Sequence, residues 1–371
     1  MVEWKKLGDI CIPLKKEIIK QGDLKEGGKY PVTNSGITIY GYYDNYNNEG
    51  NAFTLASRGE YAGYISYLKD NFWAGGLCYP YRSRNESLCL TKFIYGYLKN
   101  KEQYIMDTLV MRGGIPALNK ADVDKIVIPI PSLFEQTRIV GILDTFTSTI
   151  ENLKEQIAER RKQYEYYRDQ LLDLEGKEGV VMKTLGEVVS PNCALSYGIV
   201  QPGEDVADGV PVVRPVDLIS TFVRLHGLKK TQRQISESYK RTILKGNEIL
   251  FCVRGTTGIM GLATDELNGC NVTRGIVPIS FESETTKMFV YHQLKSSRLQ
   301  KKIEEKTNGT ALRQINIKDL RLIPLSLPSL EEQSHIVSIL YTFEASIANL
   351  EAQLKQREKQ YDYYRNKLLT F

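Results

Sequence analysis

A stretch near the middle of the chain is written again near its end, 197 residues later. Pro131-Ser132-Leu133 with Glu135-Gln136 returns as Pro328-Ser329-Leu330 with Glu332-Gln333. Gln163-Tyr164 and Tyr166-Tyr167-Arg168 return as Gln360-Tyr361 and Tyr363-Tyr364-Arg365. A fainter echo, 178 residues apart, pairs Leu7-Gly8-Asp9-Ile10 with Leu185-Gly186-Glu187-Val188. Self-similarity at a fixed offset means that one supersecondary unit has been used twice. Each unit reads as a short opening strand, a globular part, a Pro-rich junction and a long helix. The globular parts differ by 19 residues in length and share little sequence. The frame is duplicated while its contents diverge.

Both long helices carry an apolar seam with alternating spacings of four and three. The first runs Ile139, Leu143, Phe146, Ile150, Leu153, Ile157, Arg160, Tyr164, Tyr167, Leu171, Leu174, and the second Ile336, Leu340, Phe343, Ile347, Leu350, Leu354, Arg357, Tyr361, Tyr364, Leu368, Phe371. A 3.5-residue repeat kept up over some five heptads predicts coiled-coil pairing. Ser132 and Ser329 are N-caps, with Glu135 and Glu332 placed to complete capping boxes, and Gly176 and Gly179 end the first helix. Arg160 and Arg357 are the one polar seam position; they either pack their stems and send the head to solvent or a glutamate, or fix the register. At ~1.5 Å per residue, each helix of about 40 residues spans about 60 Å, more than the ~34–36 Å of one DNA turn.

The expected architecture is α+β: two globular heads separated by two long antiparallel coiled-coil helices, a pseudo-twofold internal repeat. The boundaries are 1–131 for the first head, 132–179 for the first helix, 180–328 for the second head and 329–371 for the second helix. Strand-like runs at Asn51–Ile65, Gly246–Ala263 and Asn271–Phe281, and helical stretches at about 92–110 and 285–306, fill the heads. The ends of the frame match, Leu368-Leu369 to Leu7-Gly8 as Leu171-Leu172 to Leu185-Gly186, so the C-terminal helix is expected to finish close to the N-terminal strand.

The net charge of +5 is modest, but it is unevenly placed. Residues 1–132 carry 17 Lys/Arg against 14 Asp/Glu, and 180–328 carry 20 against 14. The helical segments 133–179 (7 against 10) and 329–371 (5 against 6) are slightly acidic. Basic heads draw a polyanion and leave the acidic segments for protein partners. The start of the chain lacks a signal-peptide core and no apolar run is long enough for a bilayer, so a cytoplasmic protein is expected. The six cysteines (Cys11, Cys78, Cys89, Cys193, Cys252, Cys270) form no CxxC pair and no metal spacing with the three histidines, which fits reduced, packed thiols.

Catalytic motifs are absent from the sequence. There is no GxxxxGK[ST] loop, no glycine-rich nucleotide loop, and no Asn-Pro-Pro-aromatic motif of the kind that holds a flipped base. Asp122 and Asp124 lie near Lys125, a trio that nucleases use and that chance also produces. His226, His292 and His335 show no triad spacing and read as structural or surface residues. No cofactor or metal is therefore expected on this chain.

The heads do hold residues suited to nucleic acid. Arg58-Gly59-Glu60-Tyr61-Ala62-Gly63-Tyr64 in the first resembles Arg254-Gly255-Thr256-Thr257-Gly258 in the second. Glycines at such a turn let a backbone approach a phosphate, and the arginine adds charge or reads guanine; an ordinary hairpin would use the same glycines for positive φ. Tyr61, Tyr64, Lys69, Arg82, Arg84, Arg112, Thr256, Thr257, Arg274 and Arg313 are further candidates. The Tyr40–Tyr46 stretch reads as packing or as base and phosphate contacts, and Lys229, Lys230 and Arg233 as backbone anchors or a solvated face.

The Pro-Ser-Leu-x-Glu-Gln opening and the Tyr-Tyr-Arg-x-x-Leu-Leu end, duplicated at 126–175 and 322–371, resemble the conserved regions of type I restriction-modification specificity subunits (HsdS). Leu-Gly-[Asp/Glu]-[Ile/Val] and the Arg-Gly turns look like features of the same family. So do Gly114-Ile115-Pro116-Ala117-Leu118-Asn119 and Gly309-Thr310-Ala311…Asn316, although their Gly-to-Asn spacings differ. The resemblance implies a DNA-binding, non-catalytic subunit whose heads are target-recognition domains. Each would read half of a split double-stranded site, and the helices would set the gap. It implies two methyltransferase (M) subunits that carry S-adenosylmethionine, and two restriction (R) subunits that use ATP and Mg. A coiled-coil adaptor with two protein-binding heads, the recognition subunit of a system that cuts on both sides of its site, and a self-contained methyltransferase remain alternatives.

Overall fold

A computed structural model describes residues 2–309 and 313–371. Met1, Thr310, Ala311 and Leu312 lie outside the described residues. The chain divides into two compact units, Met1–Glu155 with Glu351–Phe371, and Gln156–Leu350. Each unit therefore contains one head, the first part of one long helix and the last part of the other.

Each frame closes on a two-stranded antiparallel ladder. In the first unit Glu3–Lys6 pairs with Val127–Ile130, from Glu3↔Ile130 to Lys6↔Val127. In the second, Val181–Thr184 pairs with Pro324–Leu327, from Val181↔Leu327 to Thr184↔Pro324. The two registers coincide position for position, because the 178 offset governs one strand and the 197 offset its partner. The Leu-Gly echo has a physical cause at the next step. Leu7 and Leu185 are fully buried, and their amides donate to the Ile126 and Ile323 carbonyls at 2.8 Å. A Cβ on Gly8 would lie 3.1 Å from Asp124 Cβ, and one on Gly186 would lie 3.3 Å from Arg321 Cβ. Glycine lets two short helices cross closely at both places.

The long helices, Leu133–Leu171 and Leu330–Leu368, start where the junction prolines end the ladder. Ser132 Oγ accepts from the Glu135 amide (3.3 Å) and Ser329 Oγ from that of Glu332 (3.2 Å). Only this half of either expected capping box forms; Glu135 is drawn to Arg138 instead (2.6 and 2.8 Å). The motif glutamines act on the junction itself. Gln136 and Gln333 are buried, and each donates to the carbonyl of its junction proline at 2.9 Å.

The helices run antiparallel within each unit. In the first, Phe146 stacks on Tyr364; in the second, Phe343 stacks on Tyr167. The seam is only partly helix on helix. Ile139 and Leu143 join Leu7, Phe93 and Leu369 in the core of the first unit, and Ile336 and Leu340 join the core of the second. Leu369 in that first core brings the end of the second helix into the unit of the N-terminal strand, as expected. Arg357 is half-buried, its guanidinium 5.7 Å from the centre of the Phe146 ring and bonded to Gln360 of its own helix, so its stem packs on the seam and no glutamate pairs with it among the described residues.

The heads share a topology that their sequences hide. In the first, Ala52–Ala56 is flanked by Ile65–Leu68 and Cys78–Ser83, all antiparallel; in the second, Ile249–Cys252 is flanked by Met260–Leu262 and Ile276–Ile279. Each head adds a smaller sheet with one parallel pair, Val32↔Trp73 and Val212↔Asn271. Helices Thr91–Asn100 and Glu102–Thr108 answer to Glu284–Lys295 and Ser297–Glu305, each expected helix being broken once.

Candidate nucleic-acid interface

The Arg-Gly turns occupy the same place in both heads. Each follows the central strand and leads into its antiparallel neighbour. Gly59 and Gly63 have φ +99° and +93°, and Gly255 and Gly258 have +84° and +91°, backbone that L-residues avoid. The second glycine closes the turn: Gly63 donates to Ala56 (2.8 Å) and Gly258 to Cys252 (2.9 Å). A Cβ there would meet Met106 Cγ at 2.9 Å or Gln300 Oε1 at 2.8 Å. The first glycine faces open space, with nothing within 4 Å of a Cβ at Gly59 or Gly255. Its amide docks the turn on a returning segment, Gly59 to Pro116 O and Gly255 to Arg313 O, both 2.8 Å. Arg58 bridges Ala117 and Arg254 bridges Gln314. All four glycines carry the positive φ of the hairpin reading, and only Gly59 and Gly255 also face open space.

In the first head, exposed Arg58 and Tyr61 stand on this turn, and Arg112 on the neighbouring hairpin of Val110–Met111 and Ala117–Leu118. Tyr64 is half-buried beneath the Lys99 ammonium, 3.9 Å from its ring. Lys69 and Arg82 sit at the opposite end of the same sheet. There Arg82 donates to the Glu49 and Gly50 carbonyls (2.7 and 2.8 Å), a tie that holds the strand end. Arg84 reaches the Gly8 carbonyl at 3.3 Å, on the frame.

In the second head three of the five candidates share a cleft. Thr256, Thr257 and Arg313 line a cleft of ≈ 560 Å³ with Gln300, Lys301 and Thr307. Thr257 Oγ1 donates to Arg313 O (3.3 Å), and the Arg313 guanidinium pairs with Glu304 (2.8 Å). Arg254 precedes this cleft. Exposed Arg274 lies on the adjoining strand, where Val253 donates to Gly275 O at 2.8 Å.

The tyrosine stretch is packed in part and exposed in part. Tyr43 meets Trp73 edge-on at 5.2 Å, Tyr46 is exposed but meets Tyr30 at 4.9 Å, and Tyr40 and Tyr42 are exposed beside Ile37 and Ile39. Sequence reasoning missed the matching exposed residues of the second head, Val216, Ile219 and Phe222. A signal existed in the offset between equivalent strands. It is 180 at Tyr30 and Val210, 188 at Gly41 and Lys229, and 197 at Ala52 and Ile249. Nearly all the length difference between heads therefore falls in two loops of the smaller sheet.

The acidic pair, His292 and two of the cysteines are engaged elsewhere, whereas His226 and His335 are exposed. Asp124 accepts from Tyr81 Oη (2.6 Å) and Lys120 (2.7 Å); burial works against its charge, but these bonds hold its carboxyl below the usual range. Asp122 pairs with Lys125 at 3.1 Å. His292 is fully buried, and burial, with the charges of Lys295 and Arg168, pushes it down to about 3. Burial likewise raises the thiols of Cys78 and Cys89 to about 12. Among the described residues no three His, Cys, Asp or Glu side chains are placed to hold a metal ion. No helix among them is long and apolar enough to cross a membrane.

The family description "Type I restriction modification DNA specificity domain" matches residues 1–160 and 178–358. The chain is 27% identical to the Escherichia coli EcoR124I/EcoR124II specificity subunit over 399 aligned positions, covering 100% of this chain and 94% of that one. With the E. coli EcoBI specificity subunit it shares 27% over 254 positions, 62% of this chain and about half (53%) of the relative. Among solved structures, the S subunit of a type I system from M. genitalium superposes with a TM-score of 0.66 at 18% identity, covering 100% and 96% of the two chains. A chain from a type I assembly study superposes with a TM-score of 0.58 at 18% identity over 99% and 97%.

Proposed function

The chain belongs to the type I restriction-modification DNA specificity family, and we propose that each head reads one half of a split duplex site while the paired helices set the unread gap and dock methyltransferase subunits. The observation that carries this is the Arg-Gly turn, present at one structural address in two heads that otherwise diverge. Open Gly59 and Gly255 leave room for a phosphate, and Arg58 and Arg254 beside them are suited to phosphate or to guanine O6 and N7. Tyr61 and Arg112 in the first head, and Thr256, Thr257, Arg274 and Arg313 in the second, surround those contacts.

The chain performs no chemistry itself in this reading. Two methyltransferase subunits supply S-adenosylmethionine, two restriction subunits supply ATP- and Mg-dependent steps, and the assembly works in the cytoplasm. The test is to co-express the chain with its neighbouring methyltransferase gene and map methylated adenines across the host genome. A two-part motif with an indifferent interior supports the reading. A continuous motif, or none that depends on this chain, refutes it.

A further inference from the structure

One interval of the smaller sheet in the second head is rich in basic residues where the equivalent interval of the first head has none. The preceding segments run the other way, 15–29 with five Lys against three Asp and Glu and 193–209 with three Asp and Glu and no Lys or Arg. Residues 214–248 hold eight Lys and Arg against three Asp and Glu, a balance equal to that of the whole chain. The equivalent interval of the first head, 34–51, has no Lys or Arg, and it has Asp44 and Glu49. These are the intervals in which the offset between heads widens, so the basic residues arrive largely with added length.

The three carboxylates in this interval do little to neutralise it. Asp217 is bound to Arg214 (2.7 Å). Glu248 is buried and accepts from three backbone amides, Lys245 (2.7 Å), Gly246 and Asn247 (both 3.1 Å), which leaves the exposed Glu237. Arg224, Lys229, Arg233, Lys240, Arg241 and Lys245 are exposed, and none is in an ion pair among the described residues.

The segment that bears Arg233, Lys240 and Arg241 is held firmly. Fully buried Asn271 donates to the Ser236 carbonyl (3.2 Å) and hydroxyl (3.0 Å), and it accepts from Thr242 Oγ1 (2.7 Å). One amide thus fixes the short helix Arg233–Ser238 and the turn Lys240–Thr242 to the sheet edge. The ordering entropy of that backbone is lost on folding rather than on binding, which favours a surface built to meet a ligand.

We infer that this insert is a phosphate anchor for duplex DNA, present in the second head only, so that the two half-sites are held by unequal electrostatic grips. The inference rests on the DNA-reading function proposed above and adds to it which head supplies the salt-dependent part. Phosphate neutralisation releases counterions, and each contact contributes about 0.9 to the slope of log affinity against log salt.

The experiment compares three full-length chains on a random-sequence duplex across a salt series: the parent, Arg233→Ala/Lys240→Ala/Arg241→Ala, and a control with Lys162→Ala/Lys177→Ala/Lys359→Ala. The expected result is a slope shallower by about 2–3 for the first variant, an unchanged slope for the control, and recovery in Arg233→Lys/Arg241→Lys. A parent slope retained by the first variant overturns the anchor while leaving DNA binding intact. Loss of the methyltransferase partner with the slope unchanged also overturns it, by assigning this face to a protein contact. Absence of any salt-dependent binding by the parent overturns the DNA-reading function itself.

Discussion

Phe146 stacks on Tyr364 with ring centroids 5.4 Å apart and planes at 27°, and the repeat counterparts, Phe343 and Tyr167, adopt the same 5.4 Å and 27°. An aromatic near the start of one long helix thus meets one near the end of the other, once in each unit. The antiparallel pairing is written into the sequence as a pair of motifs that must find each other crosswise.

Phe146→Ala and Phe343→Ala are each expected to destabilise their own unit by about 1–3 kcal/mol, less than a fully buried phenylalanine because both rings are half-exposed. Urea unfolding checks this, and the double variant is expected to show nearly additive losses because the two contacts share no partner.

Gly63→Ala and Gly258→Ala are expected to cost about 2–4 kcal/mol, since the new methyl meets both a forbidden φ and a packed helix side chain. Gly59→Ala and Gly255→Ala meet only the φ penalty, about 1–2 kcal/mol. Thermal melts of the four variants separate crowding from backbone strain.

Acid sensitivity is expected to arise partly at His292. Tyr164 donates its one proton to Glu344 (2.9 Å), so its oxygen accepts from His292 Nδ1 (3.2 Å), and Nε2 is left buried without a partner. The folded pKa of about 3 lies below the ordinary 6.5, so the unfolded chain binds the extra proton. Its contribution is fully present above pH 6.5 and is lost as pH falls toward 3, at up to about 1.4 kcal/mol per unit. His292→Gln is expected to flatten the stability profile between pH 6 and 4 relative to the parent; parallel profiles would contradict the assignment.

Arg254→Ala is expected to weaken or relax one half of the recognised site by about 1–3 kcal/mol and leave the other unchanged, with Arg58→Ala doing the converse. Methylation rates on half-site variants in the reconstituted complex provide the check.

The frame was legible because its motifs act locally: a proline ending a ladder, a glutamine turning back to that proline, a glycine where helices cross. The shared topology of the heads was not legible. Ala52–Ala56 and Ile249–Cys252 are defined by strands far along the chain, and alternating apolar runs carry no record of their partners. The same limit applies to the candidate site. Glycine marks the Arg58 and Arg254 turns in the sequence, but nothing there ties Arg82 to the carbonyls of Glu49 and Gly50, which only sheet pairing brings near. Lys229, Lys230 and Arg233 were visible as a charge run, whereas the buried Asn271 that fixes the neighbouring segment lies some forty residues later.

The most direct measurement of the central claim exchanges residues 1–130 for the corresponding head of a relative and maps methylated adenines when the chimera is co-expressed with the methyltransferase. Independent heads on a common frame predict that one half of the motif changes while the other half and the gap remain. A chimera that alters both halves, or the gap, would contradict it.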